Sequence, residues 1–318
     1  MARCVIIGAN GFIGSHLVDA LVESGHEVTA FDRFSAGAAT FRSDDVRVVV
    51  GDFANRADLA SAVRGQEVVF HLLSATTPIT SEGDPSLDLR SNVGQTVDLL
   101  ELCVEAGVSR FFFASTGGAM YSAPSDRPIL ETDLPTPVSP YAIGKLAIEN
   151  YLRYFHVTHG LQSVAFRISN PYGTRQHPLR RQGLIPIAAR QIAGSEPVVR
   201  YGDGRMVRDY IYVDDLVAMM LKVLNGSPKW GLYHLGSGTG LTVNEVLDCL
   251  STVAGARFEI EERPVPATFV DHVVLDTGRF TSEFGQVPMT PLEMGVQAVL
   301  DEAFAASRTV LDPTARAL

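Results

Sequence analysis

Short apolar runs alternate with amphipathic stretches through the first half of the chain. Six runs dense in Val, Ile and Phe predict β-strands that are covered on both faces. They span residues 4–7, 27–31, 47–50, 68–72, 110–114 and 164–168. Four stretches between them have helical periodicity, at residues 13–24, 56–63, 87–106 and 141–159. Strand alternating with helix predicts an α/β fold with a doubly wound parallel sheet.

The pattern changes after about residue 170, where prolines and glycines cluster. Further helices are predicted at 184–193, 213–225 and 243–254, and a strand at 233–235, without the earlier alternation. We therefore expect a sheet domain at 1–170 with a returning segment near 206–236. Residues 171–205 and 237–310 would form a smaller lobe over the carboxyl ends of the strands, followed by a tail at 311–318.

Composition narrows the functional classes. The chain has 318 residues, of which 46% are hydrophobic, and its net charge of -10 argues against nonspecific nucleic-acid binding. It has no apolar run of 18 residues, so no membrane span is expected. Cys4, Cys103 and Cys249 are odd in number and lack metal-binding spacing. We expect reduced thiols, no bound metal and a cytoplasmic location.

A glycine-rich turn follows the first predicted strand and opens a helix. The sequence Gly8-Ala-Asn-Gly11-Phe-Ile-Gly14 would allow a tight turn, close approach of a pyrophosphate and close packing of the helix. Asp32 ends the second strand, where a carboxylate hydrogen-bonds the ribose hydroxyls and repels a 2′-phosphate. This favours NAD over NADP, although Arg33 is a counter-signal because an arginine can hold that phosphate.

A second carboxylate, Asp52, ends the third strand. It could reach the adenine amino group of the cofactor, or it could be an ordinary turn aspartate.

A tyrosine and a lysine lie four residues apart in the stretch SPYAIGK. Tyr141 and Lys145 would share one helix face, and Pro140 suits a helix start. A cation beside a phenol stabilises the phenolate and moves a group of pKa about 10 toward a base useful near neutrality. Because the chain has nine tyrosines but only three lysines, a chance YxxxK pair is improbable.

These motifs resemble the extended short-chain dehydrogenase/reductase superfamily. FRISNPYGTRQ, GDGRMVRDYIYVDDL and YHLGSGTGLTVNEV are similar to nucleotide-sugar epimerases of the UDP-galactose 4-epimerase group. The resemblance implies a bound NAD that is not consumed and a sugar oxidised transiently at C4. It implies that Tyr141 is the base and that Lys145 supports it and binds the nicotinamide ribose. The NAD-binding positions carried over are Gly8, Gly11, Phe12, Ile13, Gly14, Asp32, Arg33, Asp52, Phe53, Leu72, Leu73, Ser74, Asn92, Tyr141 and Lys145.

The end of the fifth strand carries the third catalytic position of the family, a Ser or Thr that hydrogen-bonds the sugar 4-oxygen. Counting from the strand, FASTGG aligns Thr116 with it, and Ser115 is the alternative. Related 4,6-dehydratases carry Thr-Asp-Glu here, whereas this chain has Thr116-Gly117-Gly118. Without those carboxylates the elimination lacks its acid and base, which favours an epimerase.

The resemblance also places the nucleotide sugar, a UDP-sugar, in the second half of the chain. The substrate positions carried over are Thr116, Asn170, Leu184, Val199, Tyr201, Arg208, Val243 and Arg263. Asn170 could instead be a turn residue, and Arg208 would clamp the diphosphate. Asn170 and His177 stand where relatives that bind UDP-glucuronate tend to have Thr and Arg, which favours a neutral hexose. Val273 stands at a gatekeeper position where a smaller side chain could admit an N-acetylated sugar.

Three functional readings follow from the resemblance. The first is an NAD-dependent nucleotide-sugar 4-epimerase, of the UDP-glucose/UDP-galactose type or a related UDP-hexose. The second is a dehydratase, decarboxylase or UDP-glucuronate 4-epimerase on the same scaffold, and the third a non-catalytic NAD-binding regulator. A homodimer is expected through two helices whose apolar residues could be core or interface. These are Leu99, Leu100, Leu102, Cys103, Ile148, Leu152 and Phe155.

Overall fold

The computed structural model describes residues 1–35, 37–81, 83–122, 127–177, 182–266 and 269–311. The strands are β1 (Arg3–Ile7), β2 (Glu27–Asp32), β3 (Arg47–Val50), β4 (Val68–His71), β5 (Arg110–Thr116), β6 (Gln162–Ile168), β7 (Asn170–Tyr172), β8 (Val198–Tyr201), β9 (Val207–Tyr212), β10 (Leu232–Leu235), β11 (Gly240–Thr242), β12 (Ile260–Arg263) and β13 (His272–Val273). The helices are α1 (Phe12–Glu23), α2 (Arg56–Val63), α3 (Pro78–Ser81), α4 (Pro85–Asp88), α5 (Gln95–Glu105), α6 (Pro140–His159), α7 (Leu184–Ala193), α8 (Val213–Asn225), α9 (Val243–Ala254), α10 (Gly278–Phe284) and α11 (Leu292–Leu311). A π-helical segment, Leu89–Gly94, joins α4 to α5.

A seven-stranded parallel sheet forms the centre, in the order β10-β6-β5-β4-β1-β2-β3. Alternate residues of its strands feed two cores. On one face Phe112 stacks between Phe70 and Phe166, with ring centroids 4.8 and 5.6 Å apart. On the other face Phe111 and Phe113 pack under α5 and α6. The predicted doubly wound α/β fold is confirmed.

Some predicted elements differ from the structure by more than one residue at a boundary. The single helix predicted over 87–106 is instead α4, the π-helical segment and α5. The wider π turn carries Asn92, whose side chain accepts a hydrogen bond from Ala75 N at 2.9 Å. Strand β5 runs two residues beyond its predicted end, because Ser115 and Thr116 continue the pairing with β6.

A smaller lobe follows β6. Strands β7, β9, β11 and β13 form one small sheet, β8 pairs with β12, and α7, α9 and α11 share an apolar core. Of the predicted returning segment at 206–236, α8 packs against α1 and β10 joins the large sheet, whereas β9 pairs in the small sheet. The division into a cofactor-binding part and a substrate-binding part stays a prediction.

The apolar residues left open between core and interface are buried within the single chain. They are Leu99, Leu100, Leu102, Cys103, Ile148, Leu152 and Phe155. None of the helices in the described ranges has the length and apolar composition needed to cross a membrane. The described ranges also contain no cluster of three or more His, Cys, Asp or Glu side chains suited to a metal ion.

Candidate active site

The glycine turn after β1 has the shape of a phosphate cradle. Gly8 has a φ of +94°, and a β-carbon there would lie 2.8 Å from Leu73 N. A β-carbon on Gly14 would collide with Gly8 O. Gly11 caps α1 without a side chain, so the first N–H groups of the helix, at Phe12, Ile13 and Gly14, have no intrahelical acceptor. These N–H groups can bind an anion, and the glycines give it room. The turn therefore fits a dinucleotide.

Asp32 is fixed at the edge of this turn. Its two carboxylate oxygens accept hydrogen bonds from Asn10 N at 3.0 Å and Arg33 N at 2.7 Å. Asn10 Oδ1 in turn accepts from Thr40 N at 2.7 Å, which folds the loop after β2 back over the turn. Each carboxylate oxygen can accept more than one hydrogen bond, so Asp32 keeps capacity for ribose hydroxyls. The Arg33 side chain is exposed.

The adenine-side residues divide into core and surface. Asp52 is exposed, and its Oδ1 accepts from Ala54 N at 2.9 Å, a local turn bond that is compatible with both readings of this residue. Phe53 is buried, with its ring 5.0 Å from that of His71. Ser74 donates to Thr76 O at 2.9 Å in the segment after β4. This segment, which also contains Leu72 and Leu73, lines the other side of the glycine turn.

Tyr141 and Lys145 lie in the first two turns of α6. Ser139 caps the helix by accepting from Ala142 N, and Pro140 occupies its first turn. The Lys145 ammonium lies 5.6 Å from the Tyr141 ring centroid and 4.6 Å from that of Phe113. It donates to Ala114 O at 2.8 Å. Burial lowers the pKa of Lys145 to about 8, against the opposing effect of nearby carboxylates.

The two hydroxyls at the end of β5 have different surroundings. Ser115 donates to Glu149 Oε1 at 2.5 Å, which commits its proton to a buried carboxylate. Thr116 accepts from Ala119 N at 3.3 Å, so its hydroxyl proton can serve a ligand oxygen. This arrangement favours Thr116 as the hydroxyl that would contact a substrate.

Two glycines follow Thr116 at points of close packing. A β-carbon on Gly117 would collide with Leu275 Cδ1, and one on Gly118 would lie 3.2 Å from Asn170 Oδ1. Asn170 is itself held by its Nδ2, which donates to Asp209 O at 3.0 Å. Larger side chains after Thr116 would require Leu275 and Asn170 to move.

A network of buried polar side chains lies beside the end of β5, and the sequence analysis did not predict it. Arg167 pairs with Glu149, with Nη2 and Oε2 at 2.7 Å, and donates to Tyr121 OH at 2.5 Å. Tyr121 OH lies 2.7 Å from His234 Nε2. Burial lowers the pKa of His234 to about 3, so its ring is neutral. The available signal was Glu149, four residues after Lys145 and therefore on the same face of α6.

Arg208, predicted as the diphosphate contact, lies on β9. Its guanidinium donates to Val207 O at 2.8 Å and Asp271 O at 3.3 Å. Among the described residues no salt bridge joins it to a carboxylate. Burial lowers the pKa of this guanidinium, and an anionic ligand would relieve the cost of burying its charge.

The other predicted substrate residues lie in the strands of the small sheets or at the starts of the neighbouring helices. Tyr201 and Arg263 are register partners in β8 and β12, and Arg263 donates to Glu261 Oε1 at 2.8 Å. Val199 is on β8, while Leu184 and Val243 open α7 and α9 and pack in one core. Val273 is buried opposite Arg208 in the β13–β9 pair. His177 lies in the segment after β7.

Comparison with known proteins identifies the family. Residues 4–236 match the model of the NAD dependent epimerase/dehydratase family. The chain belongs to this family. A UDP-glucose 4-epimerase of Mycolicibacterium smegmatis is 33% identical over 94% of this chain and 97% of its own length.

Solved structures of the family have the same fold. The UDP-glucose 4-epimerase of Thermotoga maritima, crystallised with UDP-glucose, is 31% identical, has a TM-score of 0.89 and aligns over 97% of this chain and 99% of its own. A dTDP-glucose 4,6-dehydratase of Streptomyces venezuelae with bound NAD is 28% identical, with a TM-score of 0.87 over 98% and 99%. Membership in an NAD-dependent family confirms the predicted resemblance and the predicted cofactor.

This epimerase/dehydratase-family chain also contains a buried carboxylate that the sequence analysis missed. Asp88 is 1% exposed on α4 and accepts hydrogen bonds from Thr76 Oγ1 and Asn92 Nδ2. Asn92, predicted as a cofactor residue, therefore holds the segment after β4 from the side of the π-helical turn. Asp88 stands four residues before Asn92, a spacing that by itself does not distinguish a buried carboxylate from an exposed one.

Proposed function

We propose that this family member is an NAD-dependent nucleotide-sugar 4-epimerase acting on a UDP-hexose, with UDP-glucose and UDP-galactose as the first candidates. The observation that carries the proposal is the pairing of Tyr141 with the buried cation of Lys145 on α6, over the end of β5 that presents Thr116. The 4-epimerases among the similar proteins support the choice of reaction.

In this proposal each of the three side chains has one task. The Thr116 hydroxyl holds the sugar 4-oxygen, and Tyr141 takes the proton of the 4-hydroxyl and later returns it. Lys145 keeps a positive charge beside the phenol and so favours its phenolate form. When bound, NAD would supply reversible hydride transfer at the sugar C4. The glycine turn, Asp32 and the segment after β4 would hold that cofactor.

The glycines after Thr116 support epimerisation over 4,6-elimination. Elimination needs an acid and a base beside the sugar, and Gly117 and Gly118 supply neither. The packing against Leu275 and Asn170 leaves a carboxylate side chain little space at these two positions. Among the reactions of the family, this turn is better suited to one that leaves the sugar intact.

Arg208 is the proposed contact for the diphosphate, and Asn170 for the sugar or its diphosphate. A half-buried guanidinium that forms no salt bridge with a carboxylate of the described residues suits charge-assisted bonds to phosphate oxygens. Leu184, Val199, Tyr201, Val243 and Arg263 are proposed to surround the nucleotide. Asn170 and His177, in place of the Thr and Arg of relatives that bind UDP-glucuronate, favour a neutral hexose. We propose that the valine at position 273 admits an N-acetylated sugar.

The test follows a panel of UDP-hexoses by NMR with the purified protein and no added NAD. Interconversion of C4 epimers is expected. A 4-keto-6-deoxy product, a decarboxylated sugar, or no turnover of any nucleotide sugar would contradict the proposal.

Substitution of the proposed base gives the sharper prediction. Tyr141→Phe removes the proton acceptor and keeps the ring, so turnover should fall by a factor on the order of 100 or more while NAD stays bound. NAD content is read from the absorbance and mass of the released cofactor. Full activity in Tyr141→Phe would rule out the assigned base, and Tyr154→Phe, on the exposed face of the same helix, is the matched control.

We also propose that the protein forms a homodimer through the exposed face of α6. Ile143, Tyr151, Tyr154 and Val157 are 41–77% exposed there. Leu87 and Leu89 extend this apolar surface on the neighbouring segment. A helix of this length spans about 30 Å, and a two-fold axis would lay the same stripe from a second copy against it.

A further inference from the structure

Asp88 is a buried carboxylate with one oxygen unused. Its Oδ1 accepts from Thr76 Oγ1 and from Asn92 Nδ2 at 2.8 Å. Its Oδ2 is fully buried and has no hydrogen-bond partner within the described ranges. Burying an ionised carboxylate with unused bonding capacity is costly unless an opposite charge lies close by. A cation near Oδ2 would offset this cost.

The unused oxygen faces the helix that carries Tyr141 and Lys145. A β-carbon on Gly144 would collide with Asp88 Oδ2, so the glycine lets the carboxylate reach the backbone of α6. The residue after Gly144 is Lys145, which is 5% exposed. The buried anion of α4 thus lies against the α6 backbone one residue before the buried cation.

The other charged groups near Lys145 do not replace Asp88. Glu149, on the same helix, is paired with Arg167 of β6, so its negative charge is already balanced. His71 of β4 is buried, and burial lowers its pKa to about 3, which leaves it neutral. Tyr141 is a further titratable neighbour, with its ring centroid 5.6 Å from the Lys145 ammonium. Asp88 is thus the carboxylate near Lys145 whose charge no described salt bridge balances.

We propose that Asp88 is a positioning residue that holds Lys145 in its protonated form through charge, without touching the substrate. For catalysis this inference rests on the proposed Tyr141/Lys145 chemistry, because a neutral lysine would no longer favour the phenolate. Gly144 is part of the same arrangement, since its lack of a side chain lets the Asp88 carboxylate approach the backbone of α6.

The direct test is a titration of Lys145 in the NAD-loaded protein. The chain has three lysines, so [ε-¹³C]lysine gives three NMR signals. Lys222 and Lys229 are exposed and serve as internal references, assigned with Lys222→Arg and Lys229→Arg. In Asp88→Asn the carboxylate charge is removed and the shape is kept. The Lys145 midpoint should fall by about one pH unit or more, with both reference midpoints unchanged.

A matched variant separates charge from packing. Thr76→Val removes a hydrogen bond to the same carboxylate and leaves the charge, so the Lys145 midpoint should stay near that of the wild type. An equal fall in Thr76→Val and Asp88→Asn, or no fall in Asp88→Asn, overturns the proposal. If Asp88→Asn does not fold, Gly144→Ala displaces the carboxylate by crowding it, and an unchanged Lys145 midpoint there overturns the proposal as well.

Activity gives a second readout. Catalysis is proposed to need the charged form of Lys145. In Asp88→Asn the alkaline limb of the kcat–pH profile should therefore move to lower pH. The size of this move should equal the shift of the Lys145 midpoint measured by NMR. The ratio of wild-type to variant kcat should then be larger at pH 8 than at pH 6, and constant with pH in Thr76→Val.

The two proposals fail differently. A shifted Lys145 midpoint without nucleotide-sugar turnover contradicts the function only. Epimerase activity with an unshifted midpoint contradicts the role of Asp88 only.

Discussion

At the scale of single residues, the two hydroxyls that end β5 differ in what their loss should change. Thr116→Val removes the hydroxyl proposed to hold the sugar oxygen and should lower kcat on the order of 100-fold, with little change in stability. Ser115→Ala removes a hydrogen bond to the Glu149 carboxylate and should lower the free energy of unfolding by about 1.5–3 kcal/mol. Steady-state kinetics and urea denaturation of both variants measure these effects. The opposite pattern, with kcat lost only in Ser115→Ala, would reassign the catalytic hydroxyl.

The sequence could identify those residues whose role follows from their spacing within one short segment. Three glycines in one turn, and a tyrosine four residues before a lysine, carry their chemistry in their spacing. Asp88 and Arg167 do not, because each looks like an ordinary polar residue in its own segment. Their role appears only when α4 docks on Gly144 and when β6 pairs beside α6. The turn bond of Asp52 is compatible both with an adenine contact and with an ordinary turn aspartate.

At the scale of elements, the Arg167–Glu149 ion pair joins β6 to α6 in the interior. Removing one partner leaves a buried charge without compensation, so Arg167→Met should lower the free energy of unfolding by about 3–5 kcal/mol. The double variant Arg167→Met/Glu149→Gln should recover part of that loss, because no lone charge then remains. Denaturant titrations of the wild type, Arg167→Met, Glu149→Gln and the double variant form a double-mutant cycle. Additive losses in the double variant would contradict the coupling.

Most elements of the fold could be predicted because apolar periodicity specifies them directly. β3, α2, α7, α8 and α9 lie at the predicted boundaries. The continuous helix over 87–106 was wrong because periodicity cannot detect a π turn. That turn depends on a side chain, Asn92, which bonds outside its own helix. The strands of the small lobe were also missed, because they lack the dense Val, Ile and Phe runs that mark the strands of the large sheet.

At the scale of the whole molecule, the exposed face of α6 governs the proposed homodimer. Val157→Glu places a charge on a side chain that is 77% exposed there and should convert the dimer to a monomer without unfolding it. Val50→Glu, on β3 and 69% exposed, is the matched control and should leave the dimer intact. Light scattering after size exclusion measures both masses. A wild-type monomer, or a dimer that survives Val157→Glu, would contradict this surface.

The late position of β10 in the sequence also determines when β6 can gain its outer partner during synthesis. This strand covers the free edge of β6, yet it follows β6 by more than sixty residues, after β7 to β9 and α8. During synthesis at a ribosome, β6 is therefore complete while its outer row of N–H and C=O groups still lacks a partner. An unpaired apolar strand edge is a template for pairing with other chains. A chain truncated after residue 170 leaves this edge without its partner and should be prone to aggregation.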